Sequence, residues 1–118
     1  MSNPVIHFDI VGGDAGVQQQ YYRDLFGWQI QPTGGPGNYA LVSAAAGGIA
    51  GGIGEGVGDP TPRVVVYVGV ADVEEALSRA DELGGTRLFG PDKVPGADIE
   101  LGQFTDPAGH VVGVLKTA

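Results

Sequence analysis

Adding 58 to a residue number in the first half of this chain lands on a related residue in the second: Ile6 on Val64, Phe8 on Val66, Ile10 on Val68, Asp14 on Asp72, Leu25 on Leu83, Gly27 on Gly85 and Ile30 on Leu88. The matched positions are apolar strand residues, a helix start, a helix stop and the apolar beginning of a following strand, so what repeats is an architecture. A half-domain written twice restricts the chain to two similar supersecondary units. A cleft between such units is a natural place for a small molecule.

At 118 residues the chain has the length of one domain, and folding at this size buries roughly 65% of the unfolded surface, enough for a core without staples. The absence of cysteine removes disulfides and thiolate metal sites and is compatible with a reducing cytosol, so a cytoplasmic protein is expected. Met1-Ser2-Asn3-Pro4 carries no basic run, and His7 and Asp9 interrupt the apolar residues from Val5 to Val11, which argues against a targeting signal. No apolar stretch approaches the length of a membrane span. A formal charge of −8 with six basic residues argues against nucleic acid, which needs clustered Lys and Arg.

Glycine reaches 22 residues, many of them between Gly34 and Gly58. The run Gly47-Gly48-Ile49-Ala50-Gly51-Gly52-Ile53-Gly54 reads either as a flexible loop or as a strand closely approached by another backbone or a ligand.

The periodicities predict two βαβββ units. Ile6 to Val11 alternates, with Phe8 and Ile10 on one face and His7 and Asp9 on the other. Asp14 is the expected N-cap of a helix reaching Phe26, with Val17, Tyr21 and Leu25 stacked at four-residue spacing, three solvated glutamines and Gly27 as the stop. Trp28 to Gln31, Asn38 to Ser43 and Ile49 to Ile53 follow as strands, and Asp59 to Pro62 breaks the chain. In the second unit Val64 to Val70 is a strand. Asp72 and Glu75 form a capping box for a helix carrying Val73, Ala76, Leu77, Ala80 and Leu83, which Gly84-Gly85 ends. Thr86 to Phe89, Ile99 to Phe104 and Val111 to Leu115 are the remaining strands, the last two joined by the turn Asp106-Pro107-Ala108-Gly109.

The order and spacing of His7-Phe8-Asp9-Ile10, Tyr21-Tyr22-Arg23-Asp24-Leu25-Phe26-Gly27-Trp28, Val68-Gly69-Val70-Ala71-Asp72-Val73 and Asp106-Pro107-Ala108-Gly109-His110 resemble the vicinal oxygen chelate superfamily. That group contains glyoxalase I, extradiol dioxygenases, fosfomycin resistance enzymes and bleomycin resistance proteins. The resemblance implies an α+β fold of two tandem βαβββ modules forming a curved, partly closed mixed sheet around a cavity, with the helices outside. It covers a single domain over 1–118, with module one at about 5–58, a linker at 59–62 and module two at about 63–117. A homodimer is implied as well.

Metal-dependent members take one ligand from the first and one from the last strand of each module. Carried over, those positions are His7 and Gly51, then Val65 and Gly113. Only His7 has a donor side chain, and a divalent ion needs three or four. No metal and no cofactor are therefore expected, and Asp9, on the same strand face as His7, does not complete a metal site.

Strand parity with the same resemblance gathers His7, Asp9, Tyr39, Tyr67 and Gln103 as the ligand-binding set of the cavity, with Leu41 on the same face as Tyr39. Each has a plainer reading: His7 hydrogen-bonded to Asp9 or a neighbouring backbone, Tyr39 and Tyr67 as core aromatics with their hydroxyls at the surface, Trp28 as packing, His110 as part of its turn. Two functions follow. One is metal-independent binding of a small organic molecule, aromatic or conjugated and oxygen-bearing, in the inter-module cavity, as in bleomycin-resistance-type proteins. The other is a small enzyme of isomerase, lyase or hydrolase type that uses His7 and Asp9 as an acid/base pair. The partner is a small molecule in both, with neither nucleic acid nor membrane.

Overall fold

The computed structural model describes residues 2–45, 47–59, 61–94 and 97–117. Pro60, within the break expected at Asp59 to Pro62, lies outside the described residues. The chain forms two compact units, one of His7–Val65 and one from Val66 onward together with the N-terminal residues through Ile6. Each is an α+β unit of four strands and one α-helix, and no helix among the described residues is long and apolar enough to cross a membrane.

In the first unit the order along the chain is β1 (Val5–Val11), α1 (Ala15–Phe26), β2 (Ile30–Pro32), a single 3₁₀ turn at Pro36–Asn38, β3 (Ala40–Val42) and β4 (Ala50–Gly54). The strands lie in the order β2-β3-β4-β1, antiparallel except for the parallel pair of β4 and β1. The second unit follows the same plan with β5 (Arg63–Val70), α2 (Val73–Glu82), β6 (Thr86–Lys93), β7 (Glu100–Thr105) and β8 (Val111–Lys116). Its order is β6-β7-β8-β5, again with the first and last strands parallel. The repeat read from residue spacing is thus a repeat of topology.

Helix ends obey local chemistry. The Asp14 carboxylate accepts the Val17 N–H at 2.9 Å, and Gly27 closes α1 at φ 70°, a left-handed conformation that costs glycine nothing. The Asp72 carboxylate accepts the Glu75 N–H at 3.0 Å. Val73 and Leu77 are then fully buried against Val70 and Val114.

The buried face of α1 differs from the one its apolar spacing predicts. Val17, Tyr21 and Leu25 are 63%, 58% and 56% exposed. Ala15 and Tyr22 turn inward instead. The Trp28 indole collects the Tyr22 ring at 5.4 Å, Phe8 at 5.5 Å and the exposed Phe26 at 5.2 Å, and Trp28, Tyr22 and Phe8 pack on Ile30, Ala40, Val42 and Ile53. The Trp28 ring is the partner that selects the face: Tyr22 stacks on it at an interplanar angle of 13°, so the helix presents Tyr22 rather than Tyr21 to the sheet. The same rotation brings Gln19 inward, where its side-chain amide donates to the Asn38 and Ile53 carbonyls at 2.9 Å each. It is not the solvated residue expected, whereas Gln20 stays exposed and bonds Asp24.

Strand β6 runs beyond the expected Phe89 to Lys93, with register shifts between Arg87 and Phe89 and between Phe89 and Asp92. Arg87 ties it to α2, donating to Glu74, Ser78 and the Gly90 carbonyl. His110 and Asp106 close the last turn: the Asp106 carboxylate accepts the His110 and Ala108 N–H groups, and the first of these leads in holding its carboxyl below the ordinary range.

Two outcomes are expected. A Cβ at Gly51 would overlap the Phe8 ring, so Gly51→Ala should lower unfolding free energy by about 1–3 kcal/mol in a denaturant titration. Hydrogen bonds from Arg87, then Ser78, hold the Glu74 carboxyl down at about 2. Because this folded value lies below the unfolded one, the pair contributes above the ordinary glutamate range and is lost as pH falls through about 2. Carbon NMR should find that low midpoint for Glu74 and its return to the ordinary range in Arg87→Met.

Candidate functional site

Strand alternation puts His7 and Asp9 on the face of β1 opposite Phe8 and Ile10, which face the aromatic cluster. Pairing with β4 then decides what lies beside them. Phe8 is opposite Gly51 and Asp9 is opposite Gly52, and residues directly opposite each other share a face. Gly51 therefore belongs to the helix side, and the β4 position beside His7 and Asp9 is Gly52. The carry-over of the last-strand ligand position to Gly51 is corrected by one residue.

Gly52 makes room for Tyr39. A Cβ there would overlap the Tyr39 hydroxyl, which reaches Asp9 Oδ1 across the space and donates to it at 2.5 Å. His7 Nε2 lies 3.1 Å from the same carboxylate oxygen and 3.0 Å from Tyr39 Oη. A carboxylate only accepts, and the Tyr39 proton is already directed to Asp9, so the Nε2 position of His7 carries a proton shared between the two oxygens. The result is a closed triangle, with His7 and Asp9 side chains 19% and 17% exposed. Both donors converge on Oδ1. No hydrogen bond from the described residues reaches Asp9 Oδ2.

The segment that delivers Tyr39 is held at several points. The Thr33 N–H and hydroxyl donate to the Tyr39 carbonyl at 3.2 and 2.9 Å, and the Glu55 N–H donates to the Gly37 carbonyl at 2.9 Å. Asn38, at φ 52°, adopts the left-handed conformation that Asn tolerates better than most residues, and its side chain donates to Glu55 at 3.1 Å. Leu41 lies opposite Gly52 and is exposed on the same face.

Within the second unit, Tyr67, Gly113 and Gln103 stand side by side on β5, β8 and β7. Gln103 Nε2 donates to the Tyr67 hydroxyl at 2.8 Å, and the buried Tyr67 ring lies where a Cβ on Gly113 would be. Of the five residues expected to bind ligand, the structure brings His7, Asp9 and Tyr39 into one cluster and Tyr67 and Gln103 into a hydrogen-bonded pair. Sequence reasoning missed Gly52 and Gln19. The glycine run signalled close approach but not which glycine received which ring.

The donor set does not fit a divalent metal. Gly52, Val65 and Gly113 offer no side-chain donor, and no group of three or more metal-binding side chains occurs among the described residues. His7 and Asp9 are instead bonded to each other and to Tyr39. Gly52→Ala should displace the phenol and break the Tyr39–Asp9 bond; a crystal structure of that variant with the bond intact would contradict this account of Gly52.

A family model described as a glyoxalase-like domain matches residues 6–115. No curated protein matches the sequence. Among solved structures, a variant of Streptomyces coelicolor methylmalonyl-CoA epimerase in complex with 2-nitronate-propionyl-CoA is 15% identical, with 97% of this chain and 96% of that chain covered and a TM-score of 0.64. Methylmalonyl-CoA epimerase from Mycobacterium tuberculosis is 16% identical over 97% and 87% of the two chains, with a TM-score of 0.63. A glyoxalase/bleomycin resistance protein/dioxygenase superfamily member from Vibrio splendidus is 15% identical over 98% and 100%, with a TM-score of 0.62. At these identities the structures speak for the fold, and with a family model spanning both βαβββ units the chain belongs to the glyoxalase-like domain family.

Proposed function

We propose that the protein binds, without a metal, a small aromatic or conjugated molecule whose oxygen function is a hydroxyl, and that His7, Asp9 and Tyr39 hold it. The observation that carries this reading is the direction of the hydrogen bonds. Tyr39 donates to Asp9 Oδ1 and the His7 proton is shared between that oxygen and the phenol, which leaves Oδ2 as the acceptor offered to a ligand. A hydroxyl meeting a carboxylate oxygen forms a charge-assisted bond, stronger than a neutral one. Leu41 and the Tyr39 ring, on the same face, supply apolar contact for a conjugated skeleton. The acyl-CoA analogue bound by the Streptomyces coelicolor protein is itself an oxygen-bearing small molecule, which supports a ligand of that general kind.

A pair of probes tests the reading. In NMR titrations followed at the His7 ring and Tyr39, 2-naphthol should bind and 2-methoxynaphthalene, which lacks the donor, should bind at least about tenfold more weakly, as expected for loss of a hydrogen bond to a charged group. Asp9→Asn should remove that preference. Equal affinities for the two probes in the native protein would eliminate the hydroxyl assignment.

The direct His7–Asp9 contact also favours a second reading, acid/base chemistry on a carbonyl compound. In deuterated buffer, methylmalonyl-CoA would then acquire solvent deuterium at its α-carbon faster than without protein, and His7→Ala would abolish the excess while sparing affinity. Exchange at the buffer rate leaves binding as the function.

A further inference from the structure

We propose that Gln19 is the positioning residue of this site: by clamping Asn38 to Ile53, it sets the Tyr39 hydroxyl on Asp9. The inference rests on reading His7, Asp9 and Tyr39 as the ligand site. It adds a residue whose side-chain hydrogen bonds go to Asn38 and Ile53 rather than to any of the three.

The two carbonyls that Gln19 joins are not arbitrary. Asn38 immediately precedes Tyr39, and Ile53 immediately follows Gly52, the residue whose missing Cβ admits the phenol. One side-chain nitrogen therefore spans the two chain segments whose apposition creates the Tyr39–Gly52 contact. A primary amide suits this task because its nitrogen carries two protons, one for each carbonyl, and no charge that would have to be neutralised in a half-buried setting. A glutamate has the same length but would aim an acceptor at two acceptors.

Other ties flank the Asn38–Tyr39 peptide: the β3–β4 ladder sets Ala40 opposite Ile53 on its far side. Thr33 holds the Tyr39 carbonyl toward the end of β2, and Glu55 holds Gly37 and the Asn38 side chain. Gln19 alone among the described residues of α1 bonds the Asn38 carbonyl, and so couples the tyrosine to the helix. Asn38 sits in the left-handed region at φ 52°, which Asn tolerates but does not prefer to the right-handed one, so the Gln19 bond to its carbonyl helps hold the peptide before Tyr39 in this orientation. Released, the peptide before Tyr39 can rotate and carry the hydroxyl off Asp9.

The test uses the ligand-free protein, so it stands apart from whether 2-naphthol binds. Tyrosine labelled at carbon Cζ reports hydroxyl exchange through its H/D isotope shift, and Tyr67 in the second unit is an internal reference. Gln19→Met keeps side-chain length and removes both donors; Tyr39 hydroxyl exchange should rise about tenfold, the scale of one lost hydrogen bond, while Tyr67 changes by less than about twofold. Gln19→Glu should act in the same direction near neutral pH. Gln20→Ala, on the next residue of the same helix, should leave both tyrosines unchanged. An unaltered Tyr39 rate in both Gln19 variants would overturn the proposal, and so would an equal rise at Tyr39 and Tyr67, which reports general loosening. Failure of 2-naphthol to bind the native protein, with the Tyr39 effect intact, would leave Gln19 as a positioning residue and remove only the ligand reading.

Discussion

The parallel pairing of β1 with β4 is the constraint on which the first unit depends. It sets Phe8 against Gly51 and Asp9 against Gly52, and in each case the absent Cβ is occupied by a ring: Phe8 on the helix side, Tyr39 on the other. A one-residue slip would send Phe8 to the polar face and Asp9 under the helix, so the glycines and the aromatics specify the register together. The second unit repeats the device once, with Tyr67 over Gly113. High glycine content here is the complement of large side chains laid across a sheet.

That arrangement also governs what chemistry the site can support. Where a last-strand donor would stand beside His7, Gly52 offers only space, and a tyrosine from the neighbouring segment fills it. The group brought to His7 and Asp9 is then a phenol, which donates a proton to the carboxylate rather than a lone pair to a metal. The proposed ligand meets a site whose donors are already satisfied and whose remaining capacity is an acceptor. Gln19 extends this logic one layer outward, since a network of short hydrogen bonds depends on the backbone that presents its members.

Much of the architecture could be read from residue order. The 58-residue offset, the caps at Asp14 and Asp72, and the stop at Gly27 all correspond to observed features, because each depends on neighbours within a few positions. The alternation of β1 correctly separated His7 and Asp9 from Phe8 and Ile10 for the same reason. The apolar face of α1 was not legible. Spacing selects Val17, Tyr21 and Leu25, but which stripe of a helix is buried depends on what the sheet presents, and here Trp28 gathers Phe8, Tyr22 and Phe26.

The candidate site divides along the same line. Sequence by itself named the side chains that were candidates: a histidine and a carboxylate on one strand face, two tyrosines and a glutamine. Only tertiary structure decided that Gly52 rather than Gly51 lies beside Asp9, that Tyr39 joins His7 and Asp9 while Tyr67 joins Gln103, and that the half-buried Gln19 bonds two backbone carbonyls rather than standing in solvent. The physical reason is that parity within a strand is a property of consecutive residues, whereas register between strands and the rotation of a helix are settled by contacts between residues far apart in the chain.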